Sequence, residues 1–142
     1  MSQHTMELAE RMVKAINETY RTRDMRPFRK LCEEVVDSGI VLETDGEAFT
    51  EGEWHGVEGV VDFVANQMEV LDEMWLRVDE YLHVGADLVV GAISFGGRAQ
   101  YTGIDVELHP LHVLRLDDGG KVIQWQVFLD RAKALQAAGL KE

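Results

Sequence analysis

Apolar positions recur at helical spacing from the start of the chain. Met6, Leu8, Met12, Ala15, Ile16 and Thr19 fall on one side, which predicts a helix over about residues 3–21, with Tyr20 near its end. Asp24 is a plausible N-cap for a second helix, with Pro27 in its first turn, where proline is tolerated. Phe28, Leu31, Cys32, Val35 and Val36 would line its inner side, and Ser38 and Gly39 would end it. Residues 40–44 read as a short strand rich in β-branched side chains. Residues 46–53 read as a polar loop, closed by Trp54, His55 and Gly56. A third helix follows. It carries Val57, Val60, Val61, Val64, Met68 and Leu71 on its apolar face, with Phe63 and Val70 widening it.

From Trp75 the period changes to two. Leu76, Val78, Glu80 and Leu82 alternate with Arg77, Asp79, Tyr81 and His83, the pattern of a half-buried strand. Gly85, Ala86 and Asp87 turn the chain into a strand over residues 88–95. Gly96 and Gly97 predict a tight turn, and residues 99–116 a long return strand with a bulge or bend at Gly103. Two apolar runs, residues 111–116 and 122–129, flank the turn Asp117, Asp118, Gly119, Gly120, which is a hairpin signal. Asp130 would cap a last short helix carrying Ala134, Leu135 and Ala138, and Gly139 would stop it.

Helix, helix, strand, helix, four meandering strands and a helical tail define an α+β chain. We expect one domain over residues 1–142: a curled, mostly antiparallel sheet with three helices forming a cone-shaped pocket. Charge narrows the partners. Fourteen basic against 26 acidic residues give −12, which argues against nucleic acid and anionic membrane surfaces. Cys32 is the single cysteine, so no internal disulfide and no thiolate metal cluster forms. No segment reaches transmembrane length and no signal-peptide core opens the chain, which reads as cytoplasmic. Neither metal-ligand spacing nor a glycine-rich phosphate loop is present, so no cofactor is expected.

The chemistry concentrates in the last hairpin. His112 interrupts an apolar run. Facing a cavity, it would serve as base, acid or hydrogen-bond donor; facing the core, it would be structural. Pro110, His112 and Leu114 share one strand face, and Trp125, Val127 and Leu129 share a face of its partner. A pocket floored by these and topped by Ile16 and Phe63 would be apolar with one polar group. Glu43 and Asp45, at the end of the first strand, are candidate pocket carboxylates, and Trp54 belongs to the loop closure.

Residues 110–130, the tail residues 134–140, the start of the third helix at Gly56 and Gly103 together resemble the nuclear-transport-factor-2-like superfamily, in its SnoaL-like and ketosteroid-isomerase-like branch. The resemblance implies a cofactor-independent, acid–base isomerase or cyclase for a small apolar carbonyl compound. The isomerase's enolate-binding aspartate falls on His112, its base on Glu43 or Asp45, and its oxyanion tyrosine near Ile16, with Tyr20 one turn on. The catalytic aspartate of limonene epoxide hydrolases falls on Val127, which argues against that reaction; in SnoaL-type cyclases the histidine role falls to His112. The expected site is therefore His112, Glu43 and Asp45 for catalysis, with Ile16, Tyr20, Trp54, Phe63, Trp125, Val127 and Leu129 around the ligand. The alternative is a non-catalytic binding protein with the same cone. Strands apolar on both faces, and the family's habit of pairing, lead to an expected homodimer through the outer sheet face.

Overall fold

A computed structural model describes residues 2–45 and 52–140. The first helix, α1 (Ser2–Thr22), buries Leu8, Met12, Ile16 and Tyr20, each four residues after the last, so one stripe faces the core. α2 (Arg26–Val35) buries Phe28, Leu31, Cys32 and Val35. Asp24 is not its N-cap: Met25 takes that position, and the Asp24 carboxylate instead accepts the backbone N–H of Arg26 at 3.0 Å. The chain then enters β1 (Val36–Thr44) directly, so Ser38 and Gly39 lie within a strand. They occupy an irregular stretch between the pairs Val36–Val122 and Val41–Gln124.

Residues 46–51 of the expected polar loop lie outside the described residues. Its remainder belongs to β2 (Gly52–His55), antiparallel to β1. α3 (Gly56–Met68) stops earlier than its apolar pattern predicts. Val70 is 53% exposed and Leu71 opens β3 (Leu71–Val84). The stop has a visible cause in Arg23. Its guanidinium donates to the carbonyl oxygens of Met68 and Leu71, satisfying acceptors that a longer helix would have used itself.

β4 (Leu88–Ala99), β5 (Asp105–Leu108), β6 (Leu111–Leu116), β7 (Val122–Phe128) and α4 (Arg131–Ala138) complete the chain. The sheet runs β2-β1-β7-β6-β4-β3, with β5 also on β4; β1 and β7 are parallel and every other pair is antiparallel. Bulges interrupt three of these ladders, and bulges bend strands. α1, α2 and α3 cover the concave face. The fold is α+β with an open, curled sheet, as the pattern implies, but the sheet has seven strands where five are expected.

Gly96 and Gly97 are not a turn. β4 runs straight through them and turns only after Ala99, where Gly103 adopts φ 72°. A Cβ on Gly96 would sit 2.7 Å from both the Trp75 indole and the Val106 carbonyl oxygen. These glycines serve close packing between three strands, a use that local sequence does not distinguish from a turn. Gly96→Ala is expected to cost about 1–3 kcal/mol in urea unfolding; an unchanged midpoint would show that the neighbours yield freely. The expected long return strand is likewise two strands, parted at His109 and Pro110.

α4 packs on the convex face. Ala134 and Ala138 meet Leu88, Val90, Leu111 and Val113 in a second cluster separate from the main core. Asp130 caps this helix, accepting the Lys133 N–H at 3.1 Å, and Gly139 ends it at φ 77°. Further out, that face is polar, with Ser94 between Asp79 and His109. α4 thus covers part of the sheet face through which a homodimer is expected.

Candidate functional site

β6 and β7 set the site. Even-numbered residues of β6 face the helices, odd ones face α4, so His112 points into the cone beside Pro110 and Leu114. His112 pairs with Val127 and Leu114 with Trp125, which makes His112 and Trp125 diagonal neighbours on one face. Diagonal neighbours are within reach for long side chains. The Trp125 Nε1–H donates to His112 Nδ1 at 2.9 Å, and the ring centroids are 5.8 Å apart.

This bond fixes the tautomer. Nδ1 accepts, so in the neutral ring the proton is on Nε2. Burial without a charged partner pushes the imidazole down to about 4, and the ring is neutral at physiological pH. Nε2–H has no hydrogen-bond partner among the described residues, and part of the ring surface is open to the cavity. The result is a neutral donor aimed into apolar space.

Two small voids touch this pair. One, about 20 Å³, is bounded by Ile16, Tyr20, Phe63, Phe95, His112, Trp125 and Val127, with Gln67 among its walls. The other, about 50 Å³, lies on the α1–β3 side. Outside the first opens a cleft of about 360 Å³ between β2, α3, β4 and β5, lined by Trp54, Phe63, Asn66, Gln67, Phe95 and Val106 among others. Phe63, Gln67 and Phe95 line both cleft and void, so the two adjoin at these side chains. Trp54 meets Phe63 edge to face at 4.9 Å.

Tyr20 lines the inner void, but its hydroxyl donates to Gln67 Oε1 at 3.4 Å. Burial raises it well above the ordinary phenol value, so it stays protonated. Gln67 escaped the sequence reading because it is polar, although it shares the helix face of Val60 and Val64. That face position was the available signal. Leu129 follows β7 and lines none of these cavities.

The carboxylates fall elsewhere. In the parallel register Leu42 matches Trp125 and Thr44 matches Val127, so even residues of β1 face the cone and odd ones face away. Glu43 accepts from Gln124 Nε2 at 3.2 Å on the convex side. Asp45 lies 3.5 Å from Lys133 Nζ of α4. The structure does not bring either acid to His112, and among the described residues no carboxylate lines the cone or its cleft. Among the described residues no cysteine or serine lines the cavity either. Burial pushes the Cys32 thiol up to about 12, and the buried Ser94 hydroxyl donates to Asp79 on the convex face.

This architecture is the nuclear-transport-factor-2-like fold, shared by SnoaL-like and ketosteroid-isomerase-like proteins. A candidate SnoaL-like polyketide cyclase from Jannaschia sp. CCS1 superposes with a TM-score of 0.72 at 19% identity, covering 99% of this chain and 94% of that one. A protein of ketosteroid-isomerase-like fold from Catenulispora acidiphila, solved with trimethylamine, gives 0.65 at 14% identity over 92% and 93%. The epoxide hydrolase/cyclase-like enzyme SalBIII, which takes part in pyran ring formation in salinomycin, gives 0.70 at 14% identity over 93% and 96%. No family sequence model and no curated protein sequence matches the chain.

Proposed function

We propose that the chain binds a small, largely apolar molecule through one carbonyl or hydroxyl oxygen, which accepts from His112 Nε2–H. The observation that carries this reading is the unpartnered neutral donor inside an apolar cone. An apolar group set against this N–H would leave it without an acceptor at a cost on the order of 1–3 kcal/mol, so an oxygen placed there is favoured. The cleft at Trp54 and Phe63 has the volume of a small-ligand site, and the inner void supplies the polar anchor.

Should the ligand react, the same donor defines the chemistry. A neutral imidazole N–H polarises a carbonyl and stabilises the negative charge of an enolate, as in isomerase- or cyclase-type steps, with the α-proton passing to water because no carboxylate among the described residues lines the cone. The fold shared with SalBIII favours this as the second reading. Glu43 and Asp45 have no part in it.

Acetophenone and its hydrocarbon isostere cumene separate polar recognition from simple filling. In wild-type protein the ketone is expected to bind the tighter. His112→Ala should reduce the ketone-to-hydrocarbon affinity ratio about tenfold, the worth of one hydrogen bond. Calorimetric titration reads both. A ratio unchanged by the substitution would make His112 structural and overturn the reading.

A further inference from the structure

Gly91 pairs with Tyr81 between two bulges of the β3–β4 ladder, yet neither a left-handed φ nor a lack of space calls for glycine there. Its φ is not in the left-handed region, unlike that of Gly103 or Gly120. A Cβ built on it would meet Ile93 Cδ1 at 3.6 Å and Val78 Cγ1 at 3.9 Å, ordinary contacts. Gly96 and Gly97, on the same strand, would clash at 2.7 and 2.9 Å. Glycine inside a strand weakens it and marks a bulge, a bend or a place where something else approaches; the bulges here belong to the β3–β4 ladder, and the space over Gly91 itself is open.

The register says what lies there. Tyr81 pairs with Gly91, and Gly91 with His112, so the three form one row across β3, β4 and β6 on the concave face. At about 4.8 Å between strands, the row spans about 10 Å with no side chain at its middle. The gap is the void of about 50 Å³, closed above by Met12 and Val13 of α1. Val13, Val78 and Tyr81 are half-buried, so the void reaches the surface between α1 and β3. It shares Ile16, Leu76, His112 and Trp125 with the inner void, which adjoins the large cleft. His112 therefore stands midway along a path, not at its end.

We propose that the slot over Gly91 is a tail-binding subsite, and that the ligand is elongated. Its bulky end lies in the cleft at Trp54 and Phe63, its oxygen meets His112, and an unbranched alkyl tail runs over Gly91 toward Tyr81. At about 10–15 Å³ for each water-sized group, the slot holds a tail of roughly three to five carbons. At about 50 Å³ it is too small for a ring. This inference rests on the proposed role of His112 and adds the ligand's shape to it.

Phenyl alkyl ketones test it, because the ring fits only the cleft. From the methyl ketone upward, affinity should rise about fourfold per methylene until the slot is full, and a tert-butyl ketone should gain nothing over the methyl ketone. Gly91→Val should abolish the rise while leaving acetophenone affinity within twofold and the melting temperature no lower than wild type. Gly91→Ala, a smaller filling, should shorten the best tail by about one carbon, and serves if the valine variant does not fold. An unchanged chain-length profile in both variants would overturn the tail subsite while leaving the His112 reading intact. No binding of any member, or a ketone-to-hydrocarbon ratio indifferent to His112→Ala, would overturn both.

Discussion

Between pH 6.5 and pH 4 the protein should lose about 3 kcal/mol of stability through His112 alone. The ring is pushed from 6.5 to about 4 in the folded state by burial, and each unit is worth about 1.36 kcal/mol. Above pH 6.5 the imidazole is neutral in both states and contributes no slope. As the pH falls below 6.5 the unfolded chain takes up a proton that the folded cone refuses, so unfolding gains. The loss levels off once the pH passes the folded value. His112→Gln keeps an acceptor for the Trp125 Nε1–H but has nothing to titrate. Its stability should stay nearly flat across this window. Asp24 and Asp79 sit below the usual carboxylate range, through Arg26 in the first case and through Ser94 and then Arg77 in the second. Their stabilisation is lost mainly below the ordinary carboxylate value, so it falls at lower pH than the histidine's. Urea unfolding at half-unit pH intervals separates the two. Parallel curves for wild type and His112→Gln would mean that water reaches the ring freely, and that the cone is not the low-dielectric site described above.

The same residue shows what a sequence does and does not reveal about a site. Strand parity puts Pro110, His112 and Leu114 on one face and needs only the hairpin, whose two strands are local in sequence; that this face is the inward one follows from the family resemblance. The direction of Glu43 and Asp45 does not. It is set by how β1 pairs with β7, some eighty residues away, and by an irregularity between Val36 and Val41 that shifts the register. A one-residue slip turns every side chain to the other face. The α4 cap at Asp130 and the stop at Gly139 were legible because capping is a local rule. That the helix would pack on the convex face depended on tertiary packing. Gly91, Gly96 and Gly97 make the point within one strand. The letter is the same, but one has space for a Cβ above it and two permit close strand packing, and only the neighbours tell them apart.

Asn17→Ala should destabilise the fold by about 2–3 kcal/mol, far more than a half-buried helix residue ordinarily costs. β3 is an edge strand: its partner β4 lies on one side only. On the open side, the Leu76 carbonyl accepts from Asn17 Nδ2 at 2.7 Å and the Leu76 N–H donates to Asn17 Oδ1 at 2.9 Å. The side-chain amide stands in for the peptide of a missing strand and ties α1 to the sheet. Both backbone groups are partly buried, and leaving each without a partner costs on the order of 1–1.5 kcal/mol. Asn17→Asp should do no better, because it loses the donor and sets a carboxylate against the Leu76 carbonyl. The tie also bears on the site, since Ile16 and Tyr20 on the same helix form the roof of the inner void. Urea unfolding gives the energy. Hydrogen exchange at the Leu76 amide gives the mechanism, with protection expected to fall in both variants. An alanine variant within about 0.5 kcal/mol of wild type, its Leu76 amide still protected, would show that α1 is held by its apolar stripe and that the amide pair adds nothing.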